Sequence, residues 1–483
     1  MSKRIVVIGG VAAGLKAASK ARREDPKAQI TVIERGEIIS YGACGMPYFV
    51  AGDVDGIESL MKTPAGALRN PAFFKNVKDI DVVVQTAVTQ IDRQAKTVHV
   101  KNLLTNEEGI FPYDKLVIAT GASAVRPPLP GIKLDGIFTL WHPNDAVSVR
   151  KGLQTGQYKK AVIVGAGLVG MEMAEALKQW DVDVTVVEMQ DQVFPAFLDA
   201  EMAGMVRKYC DEKGIKILTG EKVLRFIGEK NVEAVETEKQ NLAADLVILA
   251  LGARPNVELA KAAGLSLGVT GGILVDDRMR TSDPDIFAGG DCVENTNIVS
   301  GRKVLSPMGS TANKQGRIIG ANLSGGDDRF RGVLNTVVVR VMDLNIGKTG
   351  LTEREAKDLG YEYVSVLVAG HDRPHYMPDA KLISIKLIVD VATRKVLGMQ
   401  GIGEGDISKR VDVVASTITF GGTISDLFDI DLSYAPPYNS PIDNVAVAAN
   451  SAMNKLAGKF KGISSLMAQP MMSDEKIVFL DVR

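Results

Sequence analysis

The stretch SYGACGMPY, residues 40–48, places one cysteine, Cys44, between Ala43 and Gly45 and three residues ahead of Pro47. A thiol there can act as a redox nucleophile. Small neighbours admit a reactant, and Pro47 is tolerated in the first turn of a helix whose N-terminal dipole favours thiolate. A lone cysteine is also compatible with burial as a small, inert core residue. The other two cysteines, Cys210 and Cys292, lie far away in sequence. The three show neither metal-ligand spacing nor a paired framework, which fits a reducing compartment. The four histidines form no HExxH pattern, so no zinc site is expected.

A second kind of chemistry is written in glycines and strand-end carboxylates. RIVVI at 4–8 reads as a buried strand, followed by Gly9-Gly10-Val11-Ala12-Ala13-Gly14 and an Ala-rich helix; QITVIE then ends at Glu34. Such a turn presents backbone N–H groups to a pyrophosphate while the carboxylate accepts from a ribose hydroxyl. Val11 stands where the middle glycine usually does. The pattern returns complete in AVIVGAGLVGMEMAEA at 161–176, with Gly165, Gly167 and Gly170, and DVTVVE ends at Glu188, about 20 residues on. Glu188 would repel a 2′-phosphate, and Met189 and Gln190 supply no arginine, which points to NADH over NADPH. Each unit closes with an apolar strand and a small-residue turn, LVIATGA at 116–122 and LVILALGARPN at 246–256. In TSDPDIFAGGDC, at 281–292, Asp291 follows a strand and two glycines, where a carboxylate can meet a ribityl chain.

The elements needed to position these groups set the architecture. A chain of 483 residues exceeds one core, since domains run to roughly 100–200 residues. The expected fold is α/β: two Rossmann-like nucleotide-binding domains, one inserted into the other, and a C-terminal α+β domain. The expected divisions are 1–120 with 252–330, 121–251, 331–450, a linker at 451–475 and a final segment at 476–483. Lys and Arg number 57 against 58 Asp and Glu, so nothing calls for nucleic acid or an anionic membrane; small molecules or a second copy are the expected partners. Gly9 and Gly10 interrupt the first apolar run before a signal-peptide core is complete, and no apolar run reaches the roughly 18 residues that span a membrane. A cytoplasmic protein is expected.

GGVAAG, ATGASAVRPPLPG, GAGLVG, ALGARPN and DIFAGGD, in that order, resemble the FAD-dependent pyridine nucleotide–disulfide oxidoreductases over residues 3–450. The resemblance implies FAD on the first unit, with Gly9, Gly14, Glu34, Ala119, Thr120, Gly121 and Asp291. It implies NADH on the second, with Gly165, Gly167, Gly170, Glu188 and Gly252, and Glu172 near nicotinamide and flavin. Dithiol members carry Cys-x4-Cys after the first acidic strand-end, whereas this chain has only Cys44 there. That is similar to the single-cysteine branch of coenzyme A disulfide and persulfide reductases, NADH oxidases and NADH peroxidases, and it makes Cys44 the redox thiol.

Oxidases and peroxidases of this branch usually carry a histidine in the first glycine turn, where this chain has Ala12. The coenzyme A disulfide reductases resemble it better: they share GGVAAG and draw two tyrosines from the partner subunit, which Tyr376 and Tyr434 match. A phenol near a leaving thiolate can donate a proton. Tyr438 is expected to be structural. Coenzyme A needs phosphate partners, for which the first helix offers Lys16, Lys20, Arg22 and Arg23. Ser40 is at a family substrate-contact position, and Ala43 replaces an asparagine of some relatives. Residues 331–450 resemble the dimerisation domain, implying a homodimer with shared active sites, and EKIVFLDVR resembles the opening strand of a truncated rhodanese domain. The implied activity is NADH-dependent reduction of coenzyme A disulfide, persulfide or polysulfide. The alternatives are an NADH oxidase or peroxidase using a Cys44 sulfenic acid, and an NADH-binding redox sensor.

Overall fold

An apolar run without polar alternation suits a strand covered on both faces, and RIVVI forms such a strand, Arg4–Ile8, at the centre of a five-stranded sheet. Its order is Ile286–Ala288, Lys115–Ile118, Arg4–Ile8, Gln29–Ile33, Asp81–Val83, parallel throughout. Val7, Val32, Leu116, Val117 and Ile118 are wholly buried in it. The helix Ala13–Glu24 covers this sheet by packing against Gly309–Asn322. Gly316 allows the close approach, since a Cβ there would lie 2.5 Å from the Ala13 carbonyl oxygen.

The structure, a computed structural model, describes residues 2–480. It divides into two units, one formed by residues up to 165 with 176–184 and 224–333, the other by 166–175, 185–223 and 334 onward. The first unit also holds the strand Lys160–Val164, parallel to Leu246–Leu249, which is parallel to Ile137–Phe138. In the second unit Thr185, Val186 and Val187 pair in parallel with Lys216, Ile217 and Leu218.

The second unit is built on a five-stranded antiparallel sheet, in the order Val337–Val341, Leu344–Gly350, Val396–Gly403, Leu382–Asp390, Tyr363–His371. The helix Ser408–Thr419 lies on Leu344–Gly350 and Val396–Gly403, and Asn444–Leu456 lies on the other two long strands. Two strand–turn–helix motifs on parallel strands and a C-terminal α+β domain are thus present as expected. Asn444–Leu456 runs through position 450, where the domain was expected to end. Residues 477–480 are exposed and form no strand, so the terminal strand is not formed there; 481–483 lie outside the described residues. Among the described residues no helix is long and apolar enough to cross a membrane.

Candidate active site

Both acidic strand-ends are held by the same device. The Glu34 carboxylate accepts from the Gly10 N–H at 2.7 Å and the Gly36 N–H at 2.8 Å. Glu188 accepts from the Ala166 N–H at 2.9 Å and the Gln190 N–H at 2.8 Å. In each case the second residue of the glycine turn and the residue two beyond the carboxylate aim it, leaving acceptor capacity for a ribose hydroxyl. The turns themselves are tight: a Cβ on Gly9 would lie 2.1 Å from the Ala119 carbonyl oxygen, one on Gly14 2.0 Å from that of Gly9, and one on Gly165 2.4 Å from that of Ala250. Gly167, by contrast, has no atom within 4 Å of its would-be Cβ, so its smallness leaves room for a ligand. Gly170 is buried in the helix Leu168–Lys178, where Glu172 is half-buried.

The turns after the closing strands are tied to one another. Thr120 Oγ1 donates to the Asn256 carbonyl at 2.7 Å, and Asn256 Nδ2 donates to the Thr120 carbonyl at 2.8 Å. Ala253–Pro255 pairs antiparallel with Ala122–Ala124. Gly121 and Gly252, at positive φ, open onto space that no side chain fills. The tie through Asn256 went unread in the sequence, although ALGARPN contains it. Asp291 follows the strand Ile286–Ala288 and has no hydrogen-bond or ion-pair partner among the described residues. Burial pushes its carboxyl up to about 6. A half-buried carboxyl beside two nucleotide turns has oxygens free to accept from a polyol ligand, and with Glu34 and Gly9 the set fits FAD.

Cys44 is exposed in the single turn Ala43–Gly45, which runs into the helix Met46–Ala51 with Pro47 in its first turn. Met46, Phe49 and Val50 bury the underside of that helix. At its carboxyl end Arg150 Nη1 donates to the Phe49 and Val54 carbonyls at 3.0 and 2.6 Å, its guanidinium 4.5 Å from the Phe49 ring centroid. Trp180 Nε1 donates to the Val50 carbonyl at 2.8 Å. A cation there complements the helix dipole. The small residues around the thiol have separate reasons. Gly45 gives way to Leu60, whose Cδ2 would lie 2.4 Å from a Cβ, whereas Gly42 has only the Leu60 carbonyl near it, 3.7 Å from a would-be Cβ. Cys210 and Cys292 are buried; burial pushes the Cys210 thiol up to about 12 and the Cys292 thiol upward as well. Cys44 is the one thiol that solvent reaches.

The charges offered for phosphate are sorted differently from the sequence reading. Lys20 pairs with Glu24 one turn on, and Arg22 pairs with Asp79 at 3.3 Å. Lys16, Arg23, Arg69 and Lys78 gather instead without a carboxylate partner among the described residues. Burial, then the nearby Arg23, Lys16 and Arg69, pulls the Lys78 ammonium down. Arg69 Nε also donates to the Met61 carbonyl at 3.0 Å, in the turn that carries Leu60. Only spatial assembly could reveal Arg69 and Lys78, because they are more than forty residues from the first helix. Ser40 is buried, adopts φ 54° and donates its N–H to the Gly10 carbonyl at 2.9 Å. Ala12 caps the first helix, half-buried.

In the second unit Tyr376 is 62% exposed, Tyr434 49% and Tyr438 72%. Tyr376 lies in the loop joining Tyr363–His371 to Leu382–Asp390, and Tyr434 precedes the helix Asn444–Leu456. Tyr376 meets the His375 ring edge-on, centroids 5.8 Å apart, and all three phenols are exposed in this chain.

Comparison with known proteins places this geometry. The family model described as pyridine nucleotide-disulphide oxidoreductase matches residues 3–316, and that of its dimerisation domain matches 336–446. The chain is similar to a structure of an NAD-dependent persulfide reductase from A. fulgidus, with 46% identity and a TM-score of 0.93 over 95% of this chain and 85% of that one. It is 36% identical to the NAD(P)H coenzyme A polysulfide/persulfide reductase of Pyrococcus horikoshii, over 93% of this chain and 98% of the relative. It is also 36% identical to a protein named NADH oxidase from Methanocaldococcus jannaschii, over 94% of this chain and all of that one. With its paired nucleotide turns and C-terminal dimerisation domain, the chain belongs to the pyridine nucleotide-disulphide oxidoreductases.

Proposed function

We propose that this oxidoreductase uses NADH to reduce coenzyme A persulfide, polysulfide or coenzyme A disulfide through Cys44 alone. The observation that carries the reading is the accessibility of Cys44 against the burial of the other two thiols, with no second cysteine in the turn or the helix Met46–Ala51 after it to form a dithiol. The partner for its sulfur must then come from the substrate. Residues 1–120 with 252–330 hold FAD, and 121–251 hold the nicotinamide nucleotide. Glu188, aimed by two amides and followed by Met189 and Gln190, favours the unphosphorylated ribose. Glu172 stands by the nicotinamide.

Bound FAD supplies the relay by which the electron pair of NADH reaches a disulfide. This chain's own residues do the sulfur chemistry. Cys44 is held between turnovers as a mixed disulfide with coenzyme A, and two electrons cleave it to the Cys44 thiolate and a coenzyme A thiolate. The Cys44 thiolate then attacks the coenzyme A sulfur of a persulfide, forming the new S–S bond and expelling hydrosulfide; with the disulfide the leaving group is a second coenzyme A thiolate. Tyr376 and Tyr434 of the partner subunit stand by to donate the proton the leaving sulfur takes up. Lys16, Arg23, Arg69 and Lys78 receive the phosphates of coenzyme A, with Ser40 shaping the wall by its backbone. The reducing interior of the cell, the cytoplasm, suits such a thiol.

Ala12, in place of a histidine, argues against peroxide or oxygen as the main oxidant, although a relative is named NADH oxidase. Peptide mapping of the protein purified without reductant separates the readings. A coenzyme A adduct on the Cys44 peptide, released by dithiothreitol, is expected; a sulfenic acid there with no adduct would turn the assignment to an oxidase.

A further inference from the structure

Among the described residues the largest fully buried side chain is a cation. Arg410, on the helix Ser408–Thr419, is 1% exposed. Its Nη2 donates to the Asp372 carbonyl at 2.6 Å and to Asn439 Oδ1 at 3.0 Å, and stands 3.0 Å from the Asp443 carboxylate. Its Nη1 donates to the Asp406 carbonyl at 2.9 Å. Nε is buried without any partner. A buried charge so placed is a poor way to stabilise a core, where an apolar side chain of similar volume commonly does as well. Its bonds lead to two loops, and those loops are the ones that carry the tyrosines.

Asp372 is the neck of the Tyr376 loop. Its N–H donates to the Lys381 carbonyl at 2.8 Å, and its carboxylate accepts the Lys381 N–H at 3.0 Å, closing residues 372–381 into a ring that contains Tyr376. Asn439 is the neck of the other loop. Its Nδ2 reaches the carbonyl of Ser433, the residue before Tyr434, at 3.4 Å, and its own N–H donates to the Ala435 carbonyl at 3.1 Å. Asp443 caps the helix Asn444–Leu456 by accepting the Val445 N–H at 2.9 Å. One guanidinium nitrogen, Nη2, therefore ties the bases of both loops, while Nη1, held by the Asp406 carbonyl, fixes the plane in which it does so.

We propose that Arg410 is a positioning residue that sets Tyr376 and Tyr434 in register with each other for proton delivery to the leaving sulfur; this rests on the reading of those tyrosines given above. Both loop bases hang on the same nitrogen, so its loss disturbs both loops together. The test is rapid mixing under anaerobic conditions with the full-length holoenzyme, following flavin reduction by NADH and then reoxidation by coenzyme A persulfide. Arg410→Lys keeps the charge and loses the fork; Asn439→Ala releases only the Tyr434 loop, and serves where Arg410→Lys does not fold. Arg410→Lys is expected to leave flavin reduction within about twofold and the KM for the persulfide little changed, while reoxidation falls at least tenfold. In a Tyr376→Phe/Tyr434→Phe background the same substitution is expected to cost no further rate. Full reoxidation in Arg410→Lys, or an equal additional loss in the double-phenylalanine background, would overturn the positioning role. Unchanged reoxidation in the double-phenylalanine enzyme alone would instead remove the tyrosines from the chemistry, and the positioning role with them.

Discussion

Cys44 and Asp291 both depend on how far solvent reaches them: Cys44 is exposed and Asp291 half-buried. Asp291 is raised to about 6 by burial alone. Its folded value lies above its unfolded one, so the stability it contributes is fully present below about pH 4 and is lost as pH rises through about 6. Asp291→Asn should therefore raise the melting temperature of the flavin-free protein at pH 8 relative to wild type, with little difference at pH 4. The shift corresponds to about 3 kcal/mol, and equilibrium unfolding at the two pH values reads it. On the proposed role of Asp291 as acceptor for the FAD polyol, the same variant should also bind FAD more weakly. Cys44, Glu34, Glu188 and Asp291 were legible in the sequence because each sits in a short local pattern. Arg69, Lys78 and Arg410 were not: their partners lie tens of residues away, and no spacing rule joins them.

At the level of elements, glycine positions separate into those that pack and those that admit a ligand. A Cβ on Gly14 would strike the Gly9 carbonyl at 2.0 Å, so Gly14→Ala should cost on the order of 3 kcal/mol and lower flavin retention, read by denaturant melts and bound-flavin absorbance. Gly167→Ala meets nothing within 4 Å; it should keep the melting temperature and bound FAD while the KM for NADH rises. Equal loss of stability in both variants would contradict that division. The helix after Cys44 makes a third case. Arg150→Ala leaves the Val54 carbonyl without its side-chain donor and the Phe49 carbonyl with the Gly52 N–H alone, and should lower stability by about 1–3 kcal/mol in a chemical melt. The strand–turn–helix motifs were readable because turn, helix and strand-end follow one another along the chain. The anchors of the helix after Cys44 were hidden because a single Arg in a distant helix, or a single Trp in a distant turn, carries no signature. The domain boundary expected at 450 falls inside the helix Asn444–Leu456, since NSAMNKL continues the apolar spacing of the turn before it without a breaker until Gly458.

In the proposed mechanism, one thiol and two nucleotide sites form a single route for an electron pair. If the site is completed across a dimer, mixing an excess of inactive Cys44→Ser subunits that also carry Tyr376→Phe and Tyr434→Phe with wild-type subunits should depress turnover per wild-type subunit; turnover independent of the mixture would place the tyrosines outside the site. The specificity for the unphosphorylated nucleotide should appear as a higher kcat/KM for NADH than for NADPH. The measurement that bears most directly on the central claim is anaerobic NADH oxidation with coenzyme A persulfide and coenzyme A disulfide, wild type beside Cys44→Ser. Turnover on at least one of them that vanishes in Cys44→Ser, while flavin reduction by NADH persists, is the result the account predicts. Undiminished turnover without Cys44, or NADH consumption that begins only when oxygen is admitted, would contradict it.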